Sequence, residues 1–375
     1  MNSGNAPFIL AMSTLGRNGR FANQVFQYAF LRFTAREYDC VTHTPQWIGQ
    51  KLFGHADKPL APEHENTLLE WRERAYPDIP RFISPGIYDY PKVSFSDVRL
   101  ELNETGGINF WGHFQSSRYY AKDPDFFRSL FQPEPELAAY LDSAWQALAG
   151  KTVVVAHLRF GDTGQYNYFE TPLRWVHDWL ESFWPQLDSP VLYLATEDAR
   201  VKRKFKDYAP LAAADIFPAQ GRPGVLAEAP YYEDFWAISQ ADCLGISNSS
   251  FAFAAAMLNS RCSRFARPKL SARGFVDFSP WQDEVLCTEA TPNLIFWRII
   301  ARDSPDIYNA VRKLQRDLMM NDDTLDTPIE EYERRAWEAL LREVGKNSPE
   351  GAEKLRSVHA NLRKQVGQSL SFSII

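Results

Sequence analysis

The sequence predicts an α/β protein with two lobes, each built on a parallel sheet, and with its site in the cleft between them. An apolar run at 8–12 leads through a loop rich in Gly, Asn and Arg into a helical pattern that begins at Phe21. A second unit starts with the β-branched run at 152–158, which is typical of a strand buried on both faces. Strands and helices then alternate, as in a doubly wound sheet. The predicted N-terminal lobe, C-terminal lobe and helical extension cover residues 1–149, 150–300 and 301–375.

The individual elements follow from the spacing of apolar residues. In the N-terminal lobe we predict a helix from Phe21, a strand at 108–114 and a helix at 119–131, because apolar residues recur there at the steps of each structure. In the C-terminal lobe the predicted strands are 152–158, 191–195 and 243–246, and the predicted helices are 173–183, 199–208, 231–241 and 251–258.

Composition excludes several classes of protein. The formal net charge of -6 argues against nucleic acid as the main partner. No apolar run reaches the roughly 20 residues that span a bilayer, and the N-terminus lacks the pattern of a signal peptide. We therefore expect a cytoplasmic protein, with contact to the inner face of a bacterial membrane as an alternative. The four cysteines are far apart and form no C-x-x-C pair, so neither a zinc site nor a disulfide framework is implied.

The strand at 152–158 ends in a polar motif, H-L-R-F-G-D. Open α/β sheets bind ligands at the carboxyl ends of their strands. Arg159 there could hold a diphosphate through two parallel charge-assisted hydrogen bonds, and His157 could contact a nucleotide base. Asp162 could orient Arg159 or serve the acceptor of a transferred group. The alternative is a strand end with a surface arginine and an aspartate cap.

Two further polar groups follow later strands. Asp198 comes after the predicted strand at 191–195, and its carboxylate could accept the two N–H donors of guanine, which adenine does not offer. Taken alone, Asp198 is better interpreted as a helix N-cap. Ser249 and Ser250 lead into the helix at Phe251, where hydroxyls and N–H groups can bind an anion. An N-cap cluster is an equal alternative for the two serines.

The loop before the first helix reads G-R-F-A-N-Q from Gly19 to Gln24. Glycine lets the backbone approach a ligand closely, and Asn23 and Gln24 could form hydrogen bonds to sugar or phosphate. Taken alone, the loop is better interpreted as a turn with a polar cap, and this interpretation is favoured until the motifs are combined.

In this order and spacing, the motifs resemble those of the GDP-fucose fucosyltransferase superfamily. Its members include α-1,2-fucosyltransferases, α-1,6-fucosyltransferases and protein O-fucosyltransferases. The segment G-R-F-A-N-Q-V-F-Q-Y-A is similar to the G-G-L-G-N-Q-M-F-Q-Y-A of the bacterial α-1,2 group and to the G-R-F-G-N-Q of the protein O-fucosyltransferases. The segment at 110–116 is similar to G-Y-W-Q-S-E, the segment at 157–162 to H-x-R-R-G-D, and the segment at 192–198 to A-T-D-D. The segment at 239–251 is similar to S-Q-A-D…S-S and to S-N-S-S-F. The resemblance covers about residues 8–260.

This resemblance implies a GT-B fold with the donor mainly on the second lobe. It implies that Arg159 holds the β-phosphate and supports the leaving GDP, that His157 and Asp198 contact guanine, and that Asn23 faces the reacting centre. The remaining implied donor contacts are Ser249, Ser250, Phe251, Gly19 and Arg20. Two positions depart from the α-1,2 pattern: Phe160 replaces a second arginine, and Glu197 replaces the first aspartate of A-T-D-D.

We accordingly expect an inverting glycosyltransferase that moves L-fucose from GDP-β-L-fucose to an acceptor hydroxyl, as an α-1,2 linkage on a glycan. The alternatives are a non-catalytic protein that binds a GDP-sugar or a glycan, a transferase with a protein or small-molecule acceptor, and an interaction protein that acts through its C-terminal helices.

No metal cofactor is expected, because Arg159 and the helix start at Ser249 would stabilise the diphosphate. The sequence D-P-D at 123–125 spells the D-x-D of metal-dependent transferases, but we interpret it as a helix cap. The candidates for the acceptor base are Asp162, Glu170 and Asp178, and each has a structural interpretation as well.

The C-terminal extension predicts two capped amphipathic helices. One begins at the sequence T-P-I-E from Thr327, and the other begins at Ser348-Pro349 and carries Leu355, Val358 and Leu362 on one stripe. Isolated helices of this length are marginal in water, so we expect the stripes to pack on the lobes. A partner contact and a membrane surface are the alternatives.

Overall fold

The computed structural model describes residues 7–60, 67–69, 98, 107–160, 171–269, 271–287, 338, 341–342, 344–346 and 348–366. Within these ranges the chain is a mixed α/β protein with two five-stranded sheets. The predicted helix that begins at Thr327 lies almost wholly outside the described residues.

The first sheet is built from the N-terminal part of the chain, and all its strands are parallel. Its strands are β1 (Ile9–Ala11), β2 (Val41–Thr44), β3 (Lys58–Pro59), β4 (Thr67–Leu69) and β5 (Gly107–Trp111). They lie in the order β3-β2-β1-β5-β4, with Ile9 opposite both Val41 and Gly107. The carboxyl ends of β1, β2 and β5 therefore meet at one edge.

Helix α1 (Phe21–Tyr38) confirms the helical pattern predicted from Phe21, and it is buried along most of its length. It ends where Asp39 takes a left-handed conformation (φ 53°) and the N–H of Cys40 donates to the carbonyl of Ala35. The other helices of this part are α2 (Gly49–Phe53), α3 (Pro124–Ser129) and α4 (Pro135–Trp145), with 3-10 turns at Ser117–Tyr119 and Gln146–Leu148.

The prediction of one continuous helix at 119–131 is wrong. The chain forms a 3-10 turn that ends at Tyr119 and a separate helix, α3, that begins at Pro124. A proline has no N–H for a helix that continues from earlier residues, but it suits the first position of a new one. Asp123 caps that new helix by accepting a hydrogen bond from the N–H of Phe126 at 2.9 Å. The cap interpretation of D-P-D is therefore confirmed.

The second sheet confirms the three predicted strands of the C-terminal part. Its strands are β6 (Thr152–Leu158), β7 (Pro190–Thr196), β8 (Cys243–Gly245), β9 (Arg264–Lys269) and β10 (Gly274–Asp277), in the order β10-β9-β8-β6-β7. All neighbours are parallel except β10, which runs antiparallel to β9. The last two strands were not predicted, because R-F-A-R-P-K contains a proline and three charged residues and G-F-V-D is only four residues long, so neither shows the alternation of a strand.

The helices around this sheet are α5 (Leu173–Glu181), α6 (Ala213–Ile216), α7 (Val225–Glu228), α8 (Tyr232–Ser239) and α9 (Ser250–Leu258), with a 3-10 turn at Trp184–Gln186. Three of them, α5, α8 and α9, lie close to their predicted positions, whereas the short helices α6 and α7 were not predicted. The predicted helix at 199–208 is instead a 3-10 segment, Ala199–Tyr208. It leaves helical geometry at Phe205, whose ring stacks on His177 with centroids 4.3 Å apart.

Aromatic rings join the two sheets into one hydrophobic core. Leu10 in β1 and Val155 in β6 belong to the same buried cluster. At its centre Phe21, the first residue of α1, is 4% exposed, and its ring lies 5.1 Å from that of Tyr231 and 5.0 Å from that of Phe235. The start of α1 is thus packed against the helix layer of the second sheet.

The extension contains helix α10 (Pro349–Val366), which confirms the prediction at Ser348-Pro349. The Ser348 hydroxyl caps it by accepting a hydrogen bond from the N–H of Gly351 at 3.0 Å. Ala352 and Leu355 on this helix are buried, whereas Arg356 is exposed. None of the helices in the described part of the chain is long and apolar enough to cross a bilayer.

We expect Leu355→Ala to destabilise the protein, because Leu355 has no exposed surface and its loss leaves a cavity. Removal of a fully buried leucine side chain costs about 2–5 kcal/mol. Thermal unfolding of Leu355→Ala and of the exposed neighbour variant Arg356→Ala measures the effect. Equal melting temperatures for both variants and the wild type would show that α10 is not part of the cooperative core.

Candidate functional site

The polar motifs of the second half meet at the carboxyl edge of the second sheet. β6 and β7 are parallel and in register, with His157 opposite Ala195, and β8 lies on the other side of β6. The N–H of Ser247, just after β8, donates to the carbonyl of His157 at 3.0 Å. The segments that follow all three strands therefore come together at one place, as ligand sites of open α/β sheets do.

Arg159 and Ser249 form the centre of this edge. The Nη1 of Arg159 donates to the hydroxyl of Ser249 at 3.2 Å. Ser249 is the N-cap residue of α9, but its side chain does not cap the helix. The Ser249 hydroxyl therefore does not act as a helix cap. A guanidinium at the start of a helix combines a full positive charge with the positive end of the helix dipole, which favours an anion at this position.

His157 is buried beside this pair as a neutral imidazole. Its Nδ1 lies 2.8 Å from the Ser247 hydroxyl, and its ring is 5.8 Å from the ring of Phe251. Burial, together with the charge of Arg159, lowers the pKa of His157 to about 3. The ring therefore stays uncharged at neutral pH. Its Nε2 makes no hydrogen bond to the described residues and is the nitrogen that a ligand could use.

Glu197 holds the backbone next to Arg159. Its Oε1 accepts a hydrogen bond from the N–H of Phe160 at 2.7 Å, which ties the end of β7 to the turn after β6. Phe160 is 1% exposed, and its ring belongs to a hydrophobic cluster with Leu158 and Leu173. The departure from a second arginine thus places a core residue at 160 and leaves Arg159 as the cation of the motif.

Asp198 is held in place by its own helix. Its Oδ1 accepts from the N–H of Arg200 at 3.0 Å, and its Oδ2 lies 2.6 Å from the Arg200 guanidinium. The interpretation of Asp198 as an N-cap is confirmed. Its predicted contact with guanine stays a prediction, and a base that binds there has to compete with Arg200.

The loop before α1 brings Asn23 close to a glycine. Gly19 has a φ of 86°, and a Cβ at this position would lie 1.9 Å from the Nδ2 of Asn23. The Oδ1 of Asn23 accepts a hydrogen bond from the Nε2 of Gln115, which follows β5. Arg20 is exposed at the N-cap of α1, and its side chain does not cap the helix. Gly19 is therefore required both for its backbone conformation and for the space that Asn23 uses.

An aromatic chain connects the Asn23 loop to the Arg159 edge. The ring of Phe21, two residues before Asn23, packs on Phe235, and Phe235 packs on Phe251 at 5.2 Å. Phe251 in turn faces His157. The predicted site residues of the two halves are thus joined by a continuous run of rings across the core.

Some predicted site residues do not join this arrangement. Asp162 and Glu170 lie outside the described residues, so their proposed roles stay predictions. Asp178 lies on the exposed side of α5, where it pairs with Arg174 at 2.7 Å. That i,i+4 pair on a helix surface matches the structural interpretation of Asp178.

Asp234 is a carboxylate near the site that sequence analysis missed. It lies on α8, and its Oδ1 accepts a hydrogen bond from the hydroxyl of the buried Tyr193 at 2.7 Å. Burial is the main cause that raises its pKa to about 6; the charges of Glu233 and Glu197 act in the same direction, and the hydrogen bond from Tyr193 acts against them. The signal available in the sequence was a pair of acidic residues, Glu233 and Asp234, followed directly by the apolar run F-W-A-I. Perturbed carboxylates of this kind concentrate at functional sites.

Comparisons with known proteins give structural matches alone: no family model and no curated protein matches this chain. The fucosyltransferase NodZ from Bradyrhizobium, an α-1,6-fucosyltransferase in the crystal soaked with GDP-fucose, is similar over 73% of this chain and 100% of its own, at 13% identity and a TM-score of 0.45. POFUT1 in complex with GDP-fucose is similar over 71% and 99%, at 12% identity and 0.44. A mutant of FUT1 from Arabidopsis thaliana in complex with GDP is similar over 73% of both chains, at 11% identity and 0.42.

The raised pKa of Asp234 predicts a pH-dependent stability. Because its pKa of about 6 lies above the ordinary 3.8, the folded chain holds the proton more tightly. The resulting stability is complete below about pH 4 and is lost as the pH rises through about 6. Asp234→Asn keeps an acceptor for Tyr193 and removes the charge. We expect it to match the wild type near pH 4 and to exceed it at pH 8 by on the order of 2–3 kcal/mol.

Thermal unfolding of both proteins from pH 4 to pH 8 measures this difference. Asp207→Asn, at an exposed carboxylate, is the control and should follow the wild type throughout. Parallel curves for Asp234→Asn and the wild type would contradict the raised pKa.

Proposed function

We propose that this chain is a fucosyltransferase that moves L-fucose from GDP-β-L-fucose to an acceptor hydroxyl. The observation that supports it most directly is the hydrogen bond between Arg159 and Ser249 at the start of α9. It joins the two motifs that resemble the donor-binding segments of the fucosyltransferase superfamily. The proposal includes a GT-B arrangement of two Rossmann-like lobes, with the donor mainly on the second sheet.

The chemistry of the edge suits a nucleoside diphosphate sugar. The Arg159 guanidinium can donate two N–H groups to one phosphate while Ser249 and the start of α9 supply further donors. The neutral His157 lies within the same cluster and can accept or donate one hydrogen bond at Nε2. A guanine could address Asp198, which follows β7, or Asp234, which interacts electrostatically with Glu197 at this edge.

In the proposed reaction, an acceptor oxygen attacks C1 of fucose from the face opposite the diphosphate. The bond between C1 and the β-phosphate oxygen breaks, GDP leaves with the electron pair, and the acceptor hydroxyl gives its proton to a general base, for which Asp162 and Glu170 are the predicted candidates. Inversion at C1 gives an α-linkage. Negative charge accumulates on the β-phosphate as the bond breaks, and Arg159 is placed to stabilise it without a metal ion.

The acceptor is proposed to be a glycan that receives an α-1,2 linkage. The support for this linkage is the similarity of the Gly19 loop and of the segment at 110–116 to the α-1,2 group. Those two segments are in contact through Gln115 and Asn23.

The function is tested by incubating the protein with GDP-fucose on a glycan array and measuring both GDP release and bound fucose. We expect fucosylated glycans, and we expect excess EDTA to leave the rate largely intact. GDP binding in calorimetry without turnover on any glycan, peptide or small-molecule acceptor would indicate a binding protein on this fold. Equal affinities for GDP, ADP and UDP would contradict the proposal altogether.

Arg159→Lys should lose most of the turnover and keep the fold. Lysine retains the positive charge but replaces a planar fork by a point charge, so the paired hydrogen bonds to phosphate are lost. Removing one preorganised contact to the developing charge slows turnover by about 10²–10³. Steady-state rates measure the effect, and Arg203→Lys, at an exposed arginine on the 199–208 segment, is the matched control. Near-wild-type turnover in Arg159→Lys would remove this residue from the mechanism.

A further inference from the structure

The segment that follows β5 carries a polar side chain that contacts Asn23. Gln115 is 6% exposed, and its Nε2 donates a hydrogen bond to the Oδ1 of Asn23 on α1. The other end of the Asn23 amide, its Nδ2, lies against Gly19. Asn23 is therefore held between an amide donor on one side and a glycine without a side chain on the other.

The backbone that carries Gln115 is fixed at several points. The Nε2 of Gln27, on α1, donates to the carbonyl of Gly112 at 2.8 Å, and the hydroxyl of Tyr120 donates to the carbonyl of Phe114 at 2.7 Å. Phe114 itself has a φ of 52°. A residue other than glycine keeps this left-handed conformation only where its surroundings impose it.

Packing supplies that restraint. The ring of Phe114 is fully buried and stacks on Phe30 of α1, with centroids 4.0 Å apart and planes 10° apart. The strained turn and the helix that carries Asn23 are therefore one rigid unit. A side chain mounted on such a unit can determine the orientation of its neighbour to a fraction of an ångström.

An asparagine amide needs such a neighbour, because its two ends have nearly the same shape and opposite hydrogen-bonding properties. We propose that Gln115 is the positioning residue for Asn23: by donating to Oδ1, it turns the N–H₂ group of Asn23 toward Gly19 and the donor loop. This inference rests on the proposed function for its catalytic meaning.

The orientation determines what Asn23 can do. An amide that presents N–H₂ donates to electron-rich oxygens, such as those of a diphosphate or an acceptor. The flipped amide presents a carbonyl oxygen, whose lone pairs repel the oxygens of a diphosphate. An amide has no basicity at neutral pH, so in either orientation Asn23 is not the base that takes the acceptor proton.

Two substitutions at one position separate this role from simple packing. Gln115→Met keeps the length of the side chain and removes its donor, and we expect turnover to fall about 10- to 100-fold with little change in GDP affinity. In Gln115→Glu the carboxylate cannot donate, so the Asn23 amide flips to satisfy it. We expect a similar loss at pH 8 and a progressive recovery relative to the wild type toward pH 5, because the protonated carboxyl donates again. Gln220→Met, at an exposed glutamine, is the control.

The outcomes that overturn the inference are distinct. Wild-type turnover in Gln115→Met, or a Gln115→Glu variant whose pH profile parallels that of the wild type, would show that Gln115 does not position Asn23. A Gln115→Glu variant that is active at pH 8 and loses activity on acidification would show that the amide has the opposite orientation.

A stability measurement keeps this test separate from that of the proposed function. If the wild type does not turn over GDP-fucose, the proposed function fails, and the pair is then judged by thermal unfolding of Asn23→Ala, Gln115→Met and the double variant. Coupled side chains give a double variant whose loss of stability is smaller than the sum of the two single losses. Additive losses would overturn the pairing itself.

Discussion

The burial of Phe21 between the two sheets is the contact on which the candidate site depends. Phe21 is the first residue of α1, so the position of its ring also sets the position of the loop before it and of Asn23 one half-turn later. The ring packs on Tyr231 and Phe235, which belong to the layer that also holds Phe251. The hydrophobic effect is not directional, but the packing of these rings fixes the position of the Asn23 loop relative to the Arg159 edge.

The two helix-start motifs illustrate how sequence alternatives are decided by geometry. Both Asp198 and Ser249 occupy N-cap positions, and both residue types are good caps. Asp198 caps its segment and is paired with Arg200, whereas Ser249 leaves its helix uncapped and bonds to Arg159. The difference arises because Arg159 is delivered by a neighbouring strand that is remote in sequence. The N-cap propensity of a residue depends on its local sequence and cannot predict a partner that is remote in sequence.

Much of the fold could be predicted from the sequence because it depends on local periodicity. The buried strand β6, the helix α1 and the capped helix α10 all carry strong patterns of apolar residues, and the structure has them where these patterns occur. The prediction failed at 119–131, where apolar spacing outweighed the stop signal of Pro124, and at β9 and β10, whose short segments carry charged residues and a proline. At the candidate site, residue types in motifs predicted Arg159, His157 and Asn23. Glu197, Gln115 and Asp234 were missed because their roles depend on contacts between segments distant in sequence.

The hydrogen bond from the N–H of Phe160 to Glu197 has a further consequence. Glu197 recognises the main chain, which every residue except proline provides, so the bond is indifferent to the side chain at 160. That side chain points into the core, where its size and hydrophobicity matter and its charge would be costly. Residue 160 thus has two separate roles. Its backbone N–H helps to orient the neighbouring Arg159, and its side chain is constrained only by packing in the core. A site arranged in this way can exchange an arginine for a phenylalanine beside its principal cation while the path of the backbone stays the same.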